Sequence, residues 1–486
     1  MTGRLGGDWL TAGADTADVT RPPVRPERVG IVHLGIGAFH RAHQAVFTED
    51  ALLATGDTRW GILGVTQRSA TVRDQLRPQD GLFGVLTLGT DESSLRVVGS
   101  VLDVAFPAEE AARVLAAVAA PDTHVITLTV TEQGYARTPD GTLDVAAVRA
   151  DLDALAKEHE GDTGDHPAGS AIGLLVRGLA ARHRAGGAPI TVLSCDNLAE
   201  NGHVLERLVR EAVTAALPGD AAAPLLSWLD TAVTFPASMV DRLVPATTDE
   251  HLADVAARLG VRDDGVVVAE PFRQWVVEDR FAGPRPAWER AGAVFTDDVR
   301  PWERAKLRLL NGTHSLIAYA GAVAGHTTIS AAVADPAIAA RARTYLFDDA
   351  LPTLTAPPGL DLAAYGEQIL GRFANPHLRH TTEKVATDGT QKIPQRWGEV
   401  LTHRLAAGVV PEGAAYGLAA WIAFVLRRVR DDAPLPDPRA DELRAAATAS
   451  GDPVSRLLAL PGLLPAEAAR SASLTSAVST AVGQFP

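Results

Sequence analysis

Cysteine is nearly absent: Cys195 stands alone in 486 residues. One thiol excludes an intrachain disulfide framework and a cysteine-based zinc cluster, and it fits a reducing, cytoplasmic setting. Long apolar runs are missing too. No stretch approaches the roughly 18 consecutive apolar residues of a membrane span. The opening MTGRLGGDWLTAGADTADVT lacks the charged start and apolar centre of a secretion signal. Positive charge is in deficit, with 45 Lys and Arg against 59 Asp and Glu, a net −14. That argues against nucleic acid or an anionic membrane as partner. The one clear basic run, residues 427–430 (RRVR), is short and follows an apolar stretch, as a solvated helix end does. Lysine is scarce beside alanine, glycine and arginine, which reflects GC-rich coding more than function. What is present is a globular balance, 46% apolar and 21% charged. The length calls for two or three domains, and a small-molecule partner remains the natural expectation. The oligomeric state stays open, with a monomer acceptable.

Residues 1–28 are mostly polar and end in Pro22, Pro23 and Pro26, which reads as an arm on the surface. Residues 29–34 (VGIVHL) suit a buried parallel strand. They run into Gly35-Ile36-Gly37-Ala38-Phe39-His40. Strand, glycine turn and helix make the dinucleotide-binding arrangement, because glycines let the backbone approach a pyrophosphate at the helix N-terminus. Gly35, Gly37, Ala38 and Phe39 are therefore cofactor-binding candidates. His40 occupies the place of a third glycine, so a tight turn without ligand is the other reading. His40 and His43, at i and i+3, leave metal binding, capping and phosphate contact open, with no third metal ligand evident.

The next strand, residues 60–65, leads into Thr66-Gln67-Arg68-Ser69-Ala70. Folds that prefer NAD carry an acid here for the ribose hydroxyls, but none occurs before Asp74. Arg68 either meets a 2′-phosphate or caps the loop, which leaves the choice between NAD and NADP open from the residues alone. A β-like stretch at 82–88 and a helix at 109–119 precede the strand at 124–130. That strand ends in Thr131-Glu132-Gln133-Gly134-Tyr135. Ligands bind at such carboxyl ends. Thr131 is thus a cofactor candidate, and Glu132 either meets water, cofactor or a catalytic lysine or is simply solvated. After helices around a polar loop at 160–169, the strand at 189–193 ends in Ser194-Cys195-Asp196-Asn197, where Asn197 can donate to an oxygen. Asn201 and Gly202 mark a turn or helix start. Asp241 and Arg242 form a structural salt bridge or contact substrate. Residues 266–277 are strongly β-like.

Gly283, Pro284 and Pro286 suggest an excursion or boundary, and strand signals fade from about Pro301. Alanine- and leucine-rich stretches at 331–347, 397–407, 413–429 and 440–449 follow. The expected fold is α/β: a Rossmann-type dinucleotide-binding domain with its arm (1–295) and a mainly α-helical domain (296–486). Two polar islands in the second carry Arg372, Arg379, Lys392 and Arg396. These cations either bind a hydroxylated or carboxylated ligand or cap helices.

The second domain opens with KLRLLNGTHSLIAYAG, residues 306–321. At about 100° per residue, Lys306, Asn311 and His314 fall near 0°, 140° and 80°, on one side of an α-helix. A cation able to lose its proton, an amide and an imidazole suit proton abstraction from an alcohol with stabilisation of the oxyanion. An amphipathic helix with a solvated polar edge is the alternative reading.

Seven segments together resemble the polyol-specific long-chain dehydrogenases, the mannitol 2-dehydrogenase and fructuronate reductase family. They are GIGAFHRAHQA (35–45), TEQGY (131–135), SCDNLAENG (194–202), FPASMVDR (235–242), EPFRQWVVED (270–279), KLRLLNGTHS (306–315) and DGTQKIPQR (388–396). The resemblance implies metal-independent, reversible oxidation of a secondary alcohol of a polyol to a ketose. Lys306 matches the family's base, and Asn197 and Asn311 the amides that hold the developing alkoxide. His314 matches the substrate-orienting histidine, Glu132 the acid that exchanges protons with solvent, and Asp241 a substrate-side acid. Departures exist. Ser69 and Ala70 stand where mannitol 2-dehydrogenases tend to carry an acid. LRHTTEKVATDGTQKIPQR looks closer to the uronate reductases, which leaves hydroxymethyl or carboxylate open at the substrate's far end. Sugar-phosphate dehydrogenases of related build and a nucleotide-sensing binding protein are the rival readings.

Overall fold

Two compact units, Met1–Val299 and Arg300–Pro486, make up the computed structural model, which describes residues 3–12, 19–164 and 166–485. Short runs of β-branched and leucine residues build the centre of the first. Six parallel strands lie in the order Val101–Ala105, Gly61–Val65, Val29–Leu34, Val125–Leu128, Ile190–Ser194 and Val233–Thr234. Numbered along the chain, that order is 3-2-1-4-5-6, the doubly wound dinucleotide-binding topology. The pleat sends successive side chains to opposite faces. Val32, Leu34, Leu63, Val65, Ile126 and Leu128 enter one core, shared with helices Pro107–Ala119, Arg149–His159, Ala171–Arg184 and Asn201–Ala216. Ile31, Ile62 and Val125 enter another, with Val46, Phe47, Trp275 and Trp288. Burial on both faces explains why these strands read as continuous apolar runs.

Two smaller sheets complete the unit. One joins Val19–Thr20, Ser93–Val98, Phe83–Leu88 and Val267–Ala269; the other joins Ser238–Asp241, Gln274–Glu278 and Val294–Thr296. They correct two expectations. Residues 266–277 are not one strand but two in different sheets, broken at Pro271, which has no N–H to donate to a ladder. The N-terminal arm does not simply lie on the surface. Helix Gly7–Ala12 precedes a strand paired with Ser93–Val98, and Leu5 and Val19 are buried in a third core with Leu86, Leu95 and Val97. Two apolar residues in a polar stretch suffice to cover an open sheet. Residues 1–2 and 13–18 of the arm lie outside the described residues.

Among the described residues, the regular structure of the second unit is helical apart from a single bridge between Thr328 and Thr381. Its spine is Gly312–Ala324 packed on Glu412–Arg430. The helix expected at 331–347 is divided. Pro336 opens a new helix, Pro336–Arg343, capped by the Asp335 carboxylate on the Ala337 amide at 2.9 Å, and the chain continues into the π-helix Thr344–Ala350. Among the described residues, no helix is long and apolar enough to cross a membrane.

Candidate active site

The first strand of the sheet delivers Gly35–Gly37 to the switch point beside Val125–Leu128. Gly35 has φ +94°, and a Cβ there would lie 2.3 Å from the Thr129 carbonyl oxygen, so only glycine fits. Gly37 is different. A Cβ on it would meet nothing closer than the Gly35 carbonyl oxygen at 3.8 Å. Packing within the protein does not demand glycine at 37, whereas a pyrophosphate drawn close to the backbone does. Ala38 and Phe39 form the next turn, where Phe39 stacks on His43 with centroids 5.0 Å apart. Arg68 is exposed just past Gly61–Val65, its Nη2 3.4 Å from Gln133 Oε1. These residues fit a dinucleotide.

His43 stands at the cap between helices Ala38–Ala42 and Gln44–Thr55 with its backbone N–H on the His40 carbonyl, but neither imidazole caps a helix or offers charge to a phosphate. His40 stacks on His33 with centroids 3.4 Å apart, and His43 Nε2 sits 2.9 Å from the Gln274 carbonyl oxygen. Burial drives the His40 pKa well below the ordinary value and that of His43 down to about 3, so both rings are neutral. Among the described residues, no three His, Cys, Asp or Glu side chains form a metal-ligating group.

Beyond the paired strands Val125–Leu128 and Ile190–Ser194, Thr131 and Glu132 open the short helix Thr131–Gly134, and Asn197 follows Asp196. Glu132 and Asn197 are exposed, whereas Asp196 between the two strand ends is buried. Its carboxylate accepts the amides of Val130 at 3.0 Å and Thr131 at 2.7 Å. Asn201 is buried and structural, donating to the carbonyls of Asp196 and Ser238. Asp241 closes the strand Ser238–Asp241 and is buried. Its neighbour Arg242 resolves as structural. It donates to the Glu270 carbonyl from two nitrogens, at 3.0 and 2.8 Å, and to the Ala42 carbonyl.

In the second unit, Lys306, Asn311 and His314 lie on one continuous element, but not on one α-helix. Lys306–Asn311 is π-helical, and the Gly312 amide bonds the Leu307 carbonyl five residues back. A turn closing on the fifth residue returns Asn311 toward the azimuth of Lys306, instead of carrying it well past as an α-helix does. Lys306 is 8% exposed. The widened turn shifts its carbonyls out of register, and side chains take them up. Tyr345 donates to Arg308 O at 2.8 Å, Arg396 to Asn311 O at 3.2 Å, and Trp397 to Gly312 O at 3.2 Å. Arg396 also reaches Ser315 Oγ at 2.6 Å. The Arg396 side chain, a ligand or capping candidate by sequence, therefore braces the turn that carries Asn311.

His314 is half-buried, its ring stacked between those of Phe373, at 4.9 Å, and His380, at 5.9 Å. Its buried Nε2 has no hydrogen-bond partner among the described residues. Burial first, then the nearby His380, Arg396, Arg372 and Lys392, hold its pKa well below the ordinary value, so the ring is neutral. Arg372 is buried. Lys392 reaches Thr387 Oγ1 at 3.0 Å and the Val385 carbonyl at 3.3 Å, at the start of helix Gly389–Ala406. Three of the four island cations thus gather electrostatically around His314. Arg379 is exposed and is not among them. Tyr345 carried no sequence signal. It sits in an alanine-rich stretch without a motif, and only the fold shows what its hydroxyl holds.

A doubly wound sheet with a glycine turn at its switch point, and a helical unit presenting lysine, asparagine and histidine from one element, define a dinucleotide-dependent alcohol dehydrogenase. Comparison with known proteins narrows the class. Residues 29–290 match the mannitol dehydrogenase Rossmann domain and residues 298–485 the mannitol dehydrogenase C-terminal domain. The chain belongs to the mannitol dehydrogenase family. It is 38% identical over 463 residues to the D-mannonate oxidoreductase of Escherichia coli, covering 94% of this chain and 93% of that one. It is 37% identical over 430 residues to a mannitol 2-dehydrogenase of Pyrenophora tritici-repentis, covering 86% and 73% respectively. The Pseudomonas fluorescens mannitol 2-dehydrogenase, solved as a ternary complex with NAD and D-mannitol, superposes with a TM-score of 0.81 at 33% identity, covering 99% of this chain and 96% of that one.

Proposed function

We propose that this chain catalyses the NAD-dependent, reversible oxidation of a secondary alcohol of a linear polyol to a ketose, of the mannitol–fructose type. The observation that carries the reading is the continuous π- and α-helical element bearing buried Lys306 and half-buried Asn311 and His314. Bound NAD supplies the acceptor for hydride. Lys306 takes the hydroxyl proton, a role open to a lysine only as the neutral amine. The amides of Asn197 and Asn311 donate to the oxygen as negative charge develops there. His314, held by its two stacked neighbours, orients the substrate through Nε2. Glu132, exposed at a strand end, passes the proton to solvent, and Asp241 takes a substrate hydroxyl. Gly35, Gly37, Ala38, Phe39 and Thr131 hold the dinucleotide, with Arg68 near its ribose. We also place the reaction in the cytoplasm, where the lone buried thiol Cys195 stays reduced.

A specific observation favours a second reading. Arg372, Lys392 and Arg396 around His314 suit a carboxylate at the far end of the substrate, as in a mannonate–fructuronate pair. The experiment is a spectrophotometric panel crossing NAD and NADP with mannitol, arabitol, sorbitol, mannonate and their keto partners, run on the wild type and on Lys306→Ala. Turnover should collapse in the variant while the dinucleotide still binds. Near-normal turnover in Lys306→Ala sinks the assignment.

A further inference from the structure

Thr131 has φ +64°. Left-handed backbone is unusual for any side chain and a genuine outlier for a β-branched one. Such a residue persists only where its surroundings over-determine it. Here the surroundings are one carboxylate. Asp196 Oδ1 accepts the Thr131 amide at 2.7 Å, and Oδ2 accepts the Val130 amide at 3.0 Å and the Tyr135 hydroxyl at 2.9 Å. The Tyr135 hydroxyl lies 2.5 Å from Ser194 Oγ, at the last residue of the strand Ile190–Ser194, two residues before Asp196. The Asp196 carbonyl in turn accepts the Asn201 side chain at 3.0 Å. Asp196 and Tyr135 are buried. Residue 132 follows the strained position directly, and residue 197 follows the carboxylate directly. Glu132 is also close enough to raise the proton affinity of Asp196.

We propose that Asp196 is a positioning residue for the reaction: by holding Thr131 in its left-handed conformation it sets where Glu132 is presented, and it ties that turn to the strand end bearing Asn197. The proposal rests on the roles proposed above for Glu132 and Asn197. A carboxylate is the side chain that can do this at its size, because both oxygens accept. In Asp196→Asn the amide nitrogen must face at least one donor. Either the Thr131 or the Val130 amide then loses its acceptor, and the turn relaxes toward ordinary backbone.

The test is a double-mutant cycle of Asp196→Asn and Thr131→Gly, with kcat, KM for NAD and thermal midpoint measured for each protein. Asp196→Asn should lower kcat about tenfold or more, a larger factor than the rise in KM for NAD that the release of Thr131 brings. Adding Thr131→Gly should recover at least about threefold of that kcat, because glycine adopts the left-handed conformation without being held. A merely structural carboxylate gives a lower midpoint and no recovery by glycine, and that result overturns the proposal. So does an unchanged kcat in Asp196→Asn. If the single substitution fails to fold, the same cycle with Tyr135→Phe, which removes one of the three donors, reads the same recovery or its absence. Lys306→Ala separates the two levels: normal turnover there overturns the functional reading, whereas collapse there with no glycine rescue overturns only the role of Asp196.

Discussion

The Tyr345 hydroxyl donates a 2.8 Å hydrogen bond to the Arg308 carbonyl, so one π-helical turn holds another open. The two segments meet without a residue's width to spare. A Cβ on Gly312 would lie 2.1 Å from the Tyr345 hydroxyl oxygen. Side chains entering the backbone ladder are a recognised cause of helix irregularity, and π-turns recur at functional sites. Lys306 and Asn311 bound this one.

That geometry predicts coupled substitutions. Tyr345→Phe leaves a buried carbonyl without its partner and should cost about 1–3 kcal/mol of stability. Gly312→Ala forces the hydroxyl aside and should cost a similar, overpacking amount of about 1–3 kcal/mol. Combined, they should cost less than their sum by about 1 kcal/mol, because the clashing oxygen is then gone. Urea unfolding of the four proteins checks this, and strict additivity removes the proposed coupling.

The contrast between the π-turn and the glycine turn explains what the sequence makes legible. Residues 29–40 are readable because strand periodicity and glycine each follow from local sterics. The Lys306, Asn311 and His314 set is readable as a spacing, but its azimuths are not. A wheel of 3.6 residues per turn puts Asn311 about 140° from Lys306, and no residue type announces the fifth-residue closure that changes this. The side chains that brace it, Tyr345, Arg396 and Trp397, arrive from 37 to 85 residues further on, a distance that no local pattern spans. Asp196 is similar. Its motif is visible, whereas its three donors come from the adjacent strand end. Pro271 is a local signal that the β-like reading of 266–277 passes over, whereas the burial of Val19 has no local signal, since its partner Leu95 lies 76 residues later.

Buried histidines give a pH prediction. His33 lies with Nδ1 2.7 Å from Thr127 Oγ1 and Nε2 2.9 Å from Thr129 Oγ1, and burial lowers its pKa to about 3. Unfolded histidine titrates near 6.5, so between about 6.5 and 3 the unfolded chain binds a proton that the native chain refuses. Stability from this group is complete above about pH 6.5 and is lost as pH falls, by about 2 kcal/mol at pH 5. Asp349, pushed up to about 6 by burial, acts in the opposite direction below that pH, so the wild-type slope alone is a mixture. Replacing one ring isolates it. His33→Gln should reduce the loss of stability between pH 7 and pH 5 by about 2 kcal/mol in chemical denaturation. An unchanged pH dependence contradicts the neutral, buried ring.

Cofactor choice can be read at Arg68. No acid stands at the end of Gly61–Val65 before Asp74, and Arg68 is exposed there beside Gln133. NADP should therefore support turnover alongside NAD. Arg68→Ala should lower kcat/KM for NADP about tenfold and leave the NAD value within about twofold, since only the 2′-phosphate gains a charged partner. Equal losses with both dinucleotides place Arg68 away from the phosphate.

The last prediction distinguishes the two ends a substrate could offer. Arg372, Lys392 and Arg396 act together on His314, and a neutral hydroxymethyl group leaves that positive field unanswered, whereas a carboxylate answers it. Of the three, Lys392 is the informative one to change. Arg396 braces the Asn311 carbonyl, so its loss disturbs any substrate. Lys392 spends its ammonium on the Val385 carbonyl at the end of helix Thr382–Val385, on Thr387 Oγ1 and on Asp388 at 3.7 Å, and burial followed by Arg396 lowers its pKa. Lys392→Met keeps an unbranched side chain one atom shorter and removes the charge together with the two hydrogen bonds it donates. If a carboxylate sits in this field, kcat/KM for mannonate should fall about 10- to 100-fold in the variant while that for mannitol changes less than about threefold, a gap of one to two factors of ten that only a charged partner produces. A parallel loss for both substrates makes Lys392 a helix-start support, and the neutral polyol is then the substrate that the cations merely surround.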